Sequence, residues 1–215
     1  MKGLIEHRLT TGLARLAPKR TALLAVHWQV DAVKPEGILG PVFADRVAQT
    51  GVIERTVAVL AAARKAGIPV IYINVCYWPG HSDLIRNNAL YNAVAEKNGF
   101  VRGTSGATII PEMTPLPGDY IIEHSRTSCF YGTDLVNLLK SRDIETVVVT
   151  GIATNVAIDH TVRDAAQLGY NVILLEDCCC SSTPAHHDAA LMTLRVLATE
   201  VTQAKPFIEA IQQGT

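Results

Sequence analysis

Thr146-Val-Val-Val-Thr-Gly-Ile-Ala-Thr-Asn-Val-Ala-Ile-Asp-His-Thr-Val-Arg-Asp-Ala165 is the stretch that decides the fold. It opens as a β-branched run, Val147 to Val149, of the kind that fills a central parallel strand covered on both faces. Gly151 breaks the run. Val156, Ile158, Val162 and Ala165 then recur at roughly the 3.6-residue spacing of a helix. Strand, glycine turn and helix together form the device by which open α/β sheets present backbone N–H groups at a helix N-terminus. Thr154 or Asn155 is the expected cap of that helix. A reacting carbonyl over this turn would meet amide donors and the positive end of the helix dipole.

Working outward, residues 21–28 are almost continuously apolar and read as a first, doubly buried strand. Residues 68–75 make a second strand, with Pro69 at its start, where a missing N–H does least harm. Residues 119–124, 146–150, 171–176 and 200–202 complete six strands. Between them one long amphipathic helix is expected over 45–66, stopped by Gly67, and another around 88–97. A short helix over 132–140 has Thr133 as its expected cap, and a helix over 184–198 begins with proline. Residues 76–118 are otherwise short of pattern, and so long a segment in a compact domain is a lid or a binding segment. Alternating strands and helices specify a three-layer α/β/α domain over residues 21–215, preceded by an irregular arm over 1–20 that lies on the body or on a partner subunit. In such sheets ligands sit beyond the carboxyl ends of the strands, so His27, His124 and residues 151–157 are the ones to examine.

Composition excludes several classes of function. The chain has 215 residues, 48% of them hydrophobic, and a net charge of −1 without a Lys/Arg cluster, so nucleic-acid binding has little electrostatic support. Mean hydropathy is +0.20, yet no apolar run approaches the ~20 residues that span a bilayer. The charged first 20 residues are not expected to form a signal peptide, and a cytoplasmic location is expected. Five cysteines, three of them adjacent at Cys178-Cys179-Cys180, suit neither a disulfide framework nor a zinc site; small residues at a buried strand end are the simpler reading.

The opening stretch from Gly151 to Ala165 also resembles the signature segment of the isochorismatase-like (cysteine hydrolase) superfamily, and other segments agree in the same order. Residues 21–31 are similar to that family's first strand, with Gln29 and Asp31 matching and His27 in the place of an aspartate. Residues 123–135 resemble the lysine segment, with Arg126, Ser128, Phe130, Gly132, Thr133 and Leu135 matching and His124 at the lysine position. Leu175-Glu-Asp-Cys-Cys-Cys followed by His187 resembles the closing strand, turn and helix. The resemblance implies an open six-stranded, mostly parallel sheet in the order 3-2-1-4-5-6, a cis peptide at Ile152–Ala153, and a homodimer or homotetramer. It also implies a nucleophilic cysteine where this chain has Ala157.

A methyl group cannot form a thioester, so the covalent route of such hydrolases is closed at this position. The backbone N–H groups near Ala153 and Ala157 remain as an expected oxyanion hole. His27 and His124 are the expected acid and base, one ring neutral while the other is protonated. Trp28, Gln29, Trp78, Cys129, Phe130, Tyr131, Thr154 and Asn155 are the expected substrate-binding residues. His160 is the natural third ligand if the two histidines held zinc. Metal-binding relatives, however, place a histidine two residues after the aspartate, where this chain has Val33, so neither metal nor cofactor is expected. The sequence thus points to a small-molecule hydrolase acting on a carbonyl, amide or vinyl-ether compound by non-covalent histidine chemistry. The alternative is an inactive relative that binds a metabolite or a protein partner.

Overall fold

The computed structural model describes residues 12–213. Its strands are β1 (Thr21–Val26), β2 (Val70–Val75), β3 (Tyr120–His124), β4 (Thr146–Ile152), β5 (Asn171–Cys180) and β6 (Glu200–Thr202). They form one sheet in the order β3-β2-β1-β4-β5-β6, with each neighbouring pair parallel. Both the class and the strand order are those expected from the sequence. The helices are α1 (Val30–Val33), α2 (Gly40–Thr50), α3 (Val52–Lys65), α4 (Ala89–Glu96), α5 (Leu135–Ser141), α6 (Asp159–Gln167), α7 (Pro184–Leu197) and α8 (Ala204–Gln213).

The β1, β2 and β4 strands are buried along their whole length because helices cover both faces of the sheet. On one face Leu23, Ala25 and Tyr72 pack with Val59, Leu60 and Ala63 of α3 and Phe207 and Ile211 of α8. On the other, Leu24, Val26 and Val149 pack with Leu135 and Leu139 of α5, Val162 of α6 and Leu194 of α7. Each fully buried Leu, Ile or Val contributes about 1.5–3 kcal/mol relative to exposure, so this double layer fixes the strand ends that carry the site.

Several elements differ from expectation: α1 lies in a stretch read as loop, α8 has no counterpart among the expected elements, and three further elements differ in their bounds. The single helix over 45–66 is two helices, because Gly51 adopts a left-handed φ of 62° and turns the chain between α2 and α3. The fifth strand runs on through Cys178, Cys179 and Cys180, taking a register shift against β4 between Val149 and Gly151. The short fifth helix starts at Leu135, two residues beyond Thr133, whose hydroxyl accepts from Leu135 N and donates to the Cys129 carbonyl. Of the expected arm, residues 1–11 lie outside the described residues. Residues 12–20 form two 3-10 turns on the body, with Leu13 N donating to Glu200 Oε2 at 2.9 Å. No helix among the described residues is long and apolar enough to cross a membrane.

Strand order reverses between β1 and β4, and Val26 lies opposite Gly151 where both strands end. The approach there is so close that a Cβ on Gly151 would lie 2.2 Å from the Val26 carbonyl oxygen. Only glycine fits, and this contact brings the turn after β4 beside the residue that follows β1.

Candidate active site

His27 follows the last residue of β1 with φ at 57°, an unusual value for a residue with a side chain, and its N–H donates to the Ile73 carbonyl. His124 is the last residue of β3, two strands away, and lies opposite Val75. The two rings meet across the end of β2. Their Nε2 atoms are 2.7 Å apart, the ring centroids are separated by 4.9 Å, and the planes tilt by 36°. His124 Nδ1 lies 3.1 Å from the Ser128 carbonyl oxygen. A carbonyl only accepts, so this nitrogen carries the hydrogen of the neutral ring. The Nε2 of His124 is then an acceptor, and His27 donates to it through its own Nε2–H. The remaining lone pair of the two rings falls to His27 Nδ1.

Burial sets the charge state of both rings. His124 is held down to about 4 by burial, against a smaller opposing effect of its bond to Ser128. His27 is pushed well below the ordinary imidazole value, first by burial and then by its neighbour His124, while the Ile152 carbonyl favours its protonated form. Both imidazoles are therefore neutral at pH 7. The expected pairing of one neutral ring with one protonated ring is not what this environment favours. Two charges at 2.7 Å in a dry site would repel, and the desolvation of even one is unfavourable.

His27 lines a cavity of about 80 Å³ together with Ile152, Ala153, Val156 and Ala157. The Ile152–Ala153 peptide is cis, as the resemblance implies. The turn after it is a π-helical turn over Thr154–Ile158 before α6 begins, a feature often found at functional sites. Neither expected cap residue caps it. The Thr154 hydroxyl pairs with His187 Nδ1 at 2.8 Å, and Asn155 Oδ1 accepts from Ser181 Oγ at 2.5 Å, so both side chains tie the turn to the loop after β5 and to α7.

Most of the expected substrate-binding residues lie elsewhere. Trp28 is fully buried among the hydrophobic side chains beside α1, because the turn at His27 sends it into the interior. The Gln29 carboxamide is fully used, donating to the Val75 and Ala107 carbonyls and accepting from Val75 N, each at 2.8 Å, so it braces β2 against the long loop. Trp78 and Tyr131 point to solvent at 56% and 67% exposure, and Trp78 carries the Arg102 guanidinium over its ring at 4.5 Å. Phe130 packs in the core against the Tyr170 ring. Cys129 is sealed beside Thr161 with its thiol pushed up to about 12 by burial, which removes it as a nucleophile. His160 is exposed and does not join the histidine pair; among the described residues no three acidic, histidine or cysteine side chains converge on a metal site.

The rest of the cavity wall comes from the long segment expected to be a lid: Tyr77, Leu90, Tyr91, Val94 and Phe100 line it, with Leu39 and Phe43 of the α2 region. Sequence reasoning missed these residues, although Tyr91 and Val94 lie three apart on the helix recognised near 88–97. Their apolar stripe was visible; what it would face was not. Asn88 sets that helix, its side chain accepting from Tyr91 N at 3.0 Å. Arg126 and Thr127 also line the cavity, and Arg126 stood out in the sequence only as a match to the family pattern.

With fold and geometry in place, comparison with known proteins gives the family. The isochorismatase domain matches residues 21–206, and the chain belongs to that family of hydrolases. It is 31% identical over 208 residues to a ureidoacrylate amidohydrolase RutB of Cronobacter sakazakii, covering 91% of this chain and 90% of the relative. A ureidoacrylate amidohydrolase RutB of Methylobacterium radiotolerans is 33% identical over 210 residues, at 91% and 81% coverage. The crystal structure of a cysteine hydrolase from Pseudomonas syringae pv. phaseolicola superposes with a TM-score of 0.85 at 28% identity, over 93% of this chain and 96% of that one.

Proposed function

We propose that the chain hydrolyses a small amide- or ureide-type carbonyl compound without a covalent intermediate, using His27 as general base. The observation that carries this reading is the 2.7 Å contact between the two Nε2 atoms, with His124 Nδ1 tied to Ser128. It orients a neutral His27 whose remaining lone pair belongs to a ring on the cavity wall. A water placed against that ring gives its proton to His27 as its oxygen attacks the substrate carbonyl carbon. The resulting imidazolium is favoured by the Ile152 carbonyl and passes the proton to the departing nitrogen. The oxyanion forms over the turn where Ala153 and Ala157 line the cavity, with their N–H groups as the donors.

The charge state also separates substrate classes. Vinyl-ether hydrolysis begins with proton donation to carbon, and two neutral imidazoles with depressed pKa values are poor acids near pH 7. Carbonyl addition needs a base, which this pair supplies. The ureidoacrylate in the names of the two relatives is the first compound to try. The test is turnover of a panel of ureides, amides and vinyl ethers by wild type and by His27→Asn. Asparagine tolerates the left-handed backbone but is no base. Turnover of a ureide or amide that His27→Asn abolishes supports the reading. Turnover unchanged in that variant refutes it, and binding without turnover across the panel favours a metabolite-binding protein instead.

A further inference from the structure

We infer that the cavity beside His27 is a receptor for a small monocarboxylate, and that Arg126 is the residue that selects it. The wall is apolar along most of its surface, with Phe43, Val75, Tyr77, Leu90, Tyr91, Val94 and Phe100 contributing side chains, and no acidic residue lines it. With His27 neutral, the one formal charge on the lining is that of Arg126.

Among the described residues that guanidinium differs from the half-buried arginines that are held by carboxylates, and from Arg46, which at least donates to Gln49. Arg64 is held by Asp119, Arg102 by Glu123 and Arg163 by Asp159. Arg126 makes no ion pair or hydrogen bond with any described residue. Its one ring contact is with Tyr91, whose ring lies 5.1 Å from the guanidinium carbon. The stacking holds the planar group in place but leaves its N–H donors unspent. Tyr91 is itself held by the Asn88 cap, so the cation is supported on an ordered helix and not on a free loop.

An apolar ligand filling this space would strip water from a lone cation without replacing it, which is costly. A carboxylate at one end of the ligand removes that cost, and the guanidinium fork matches its two oxygens. Thr127, the next residue, also lines the cavity and carries a hydroxyl, a further donor type. A ligand of this shape has an anionic end and a flat or apolar body, and the wall receives both. The inference rests on the reading of this cavity as a substrate site, but its test does not require turnover.

The experiment is calorimetric binding, near neutral pH, of benzoate and crotonate against their uncharged amides, to the full chain and to Arg126→Gln, Arg126→Lys and His27→Asn. Wild type is expected to hold each acid at least tenfold more tightly than its amide. Arg126→Gln is expected to erase that preference, Arg126→Lys to keep part of it, and His27→Asn to keep all of it. Equal affinity of wild type for acid and amide, absence of acid binding at millimolar concentration, or a preference that survives Arg126→Gln overturns the assignment. The wild-type comparison stands even if a variant misfolds. An acid preference that depends on Arg126, in a protein that turns over none of the panel, leaves this inference intact while the hydrolase reading fails.

Discussion

Two clusters of buried titratable side chains lie at the carboxyl end of the sheet, and only one borders the cavity. His27 and His124 come from different strands, touch at 2.7 Å, and one of them faces a cavity. Cys178, Cys179 and Cys180 are consecutive residues of one strand, so their side chains alternate between faces: Cys178 and Cys180 in one core, Cys179 in the other. Burial moves both sets strongly. It lowers the imidazoles toward neutrality and raises the thiols, Cys178 to about 12, so that no reactive thiolate forms. Neutralisation makes a histidine a usable base and a cysteine inert. The same physical cause has opposite chemical consequences for the two side-chain types, and under the proposed function only the pair that borders the cavity acts.

Several experiments would break or sharpen this contrast. The largest effect belongs to His27→Asn, which is expected to lower kcat/KM by about 1,000-fold, within the range for loss of a general base; steady-state kinetics on the substrate found by the panel measures it. Acid comes next. Both histidines bind protons more readily in the unfolded chain than in the folded one, so stability is full near pH 7 and falls as pH drops below about 6.5 toward 4. The contribution from His124 alone is on the order of 3 kcal/mol across that window. Urea unfolding at a series of pH values should show the loss, and His124→Gln should shrink it. A flat profile would mean that the pair is not buried as described.

The same His124→Gln substitution is expected to cut kcat/KM by about 30-fold, less than loss of His27, because glutamine can still accept from His27 Nε2 while orienting it less well. In wild type, kcat/KM should stay level from pH 8 to about 6 and fall only in the more acidic range where His27 protonates. A limb centred at 6.5 or above would contradict the depressed value. The smallest effect is assigned to the cysteine cluster: Cys179→Ala should cost about 1–2 kcal/mol of stability through lost packing and leave kcat/KM unchanged. Loss of activity in that variant with stability intact would erase the distinction between the two clusters.

Much of this is legible in the sequence. The runs that became β1, β2 and β4 carry continuous β-branched and aliphatic residues because helices bury both faces, and that pattern survives in one dimension. The break at Gly51 was not legible, since a glycine inside an amphipathic run is as compatible with a helix interior as with a left-handed turn. The pocket residues fared worst. Trp28, Phe130 and Cys129 sit beside strand ends in the chain but point into the cores, while Tyr77, Tyr91 and Phe100 reach the cavity from a segment with no strong pattern. Proximity along the chain does not say which way a side chain turns at the end of a strand.

By itself the sequence determined the layered α/β architecture, the strand ends at which a site is expected, and the absence of a thiol at Ala157, because hydrophobic period and residue identity are properties of the chain. The tertiary structure alone decided that the two imidazoles meet across β2, that both are neutral, and that an unpaired guanidinium looks into the same cavity. Distance, desolvation and access arise only when residues as far apart in the chain as His27 and His124, separated by 97 positions, are packed against one another.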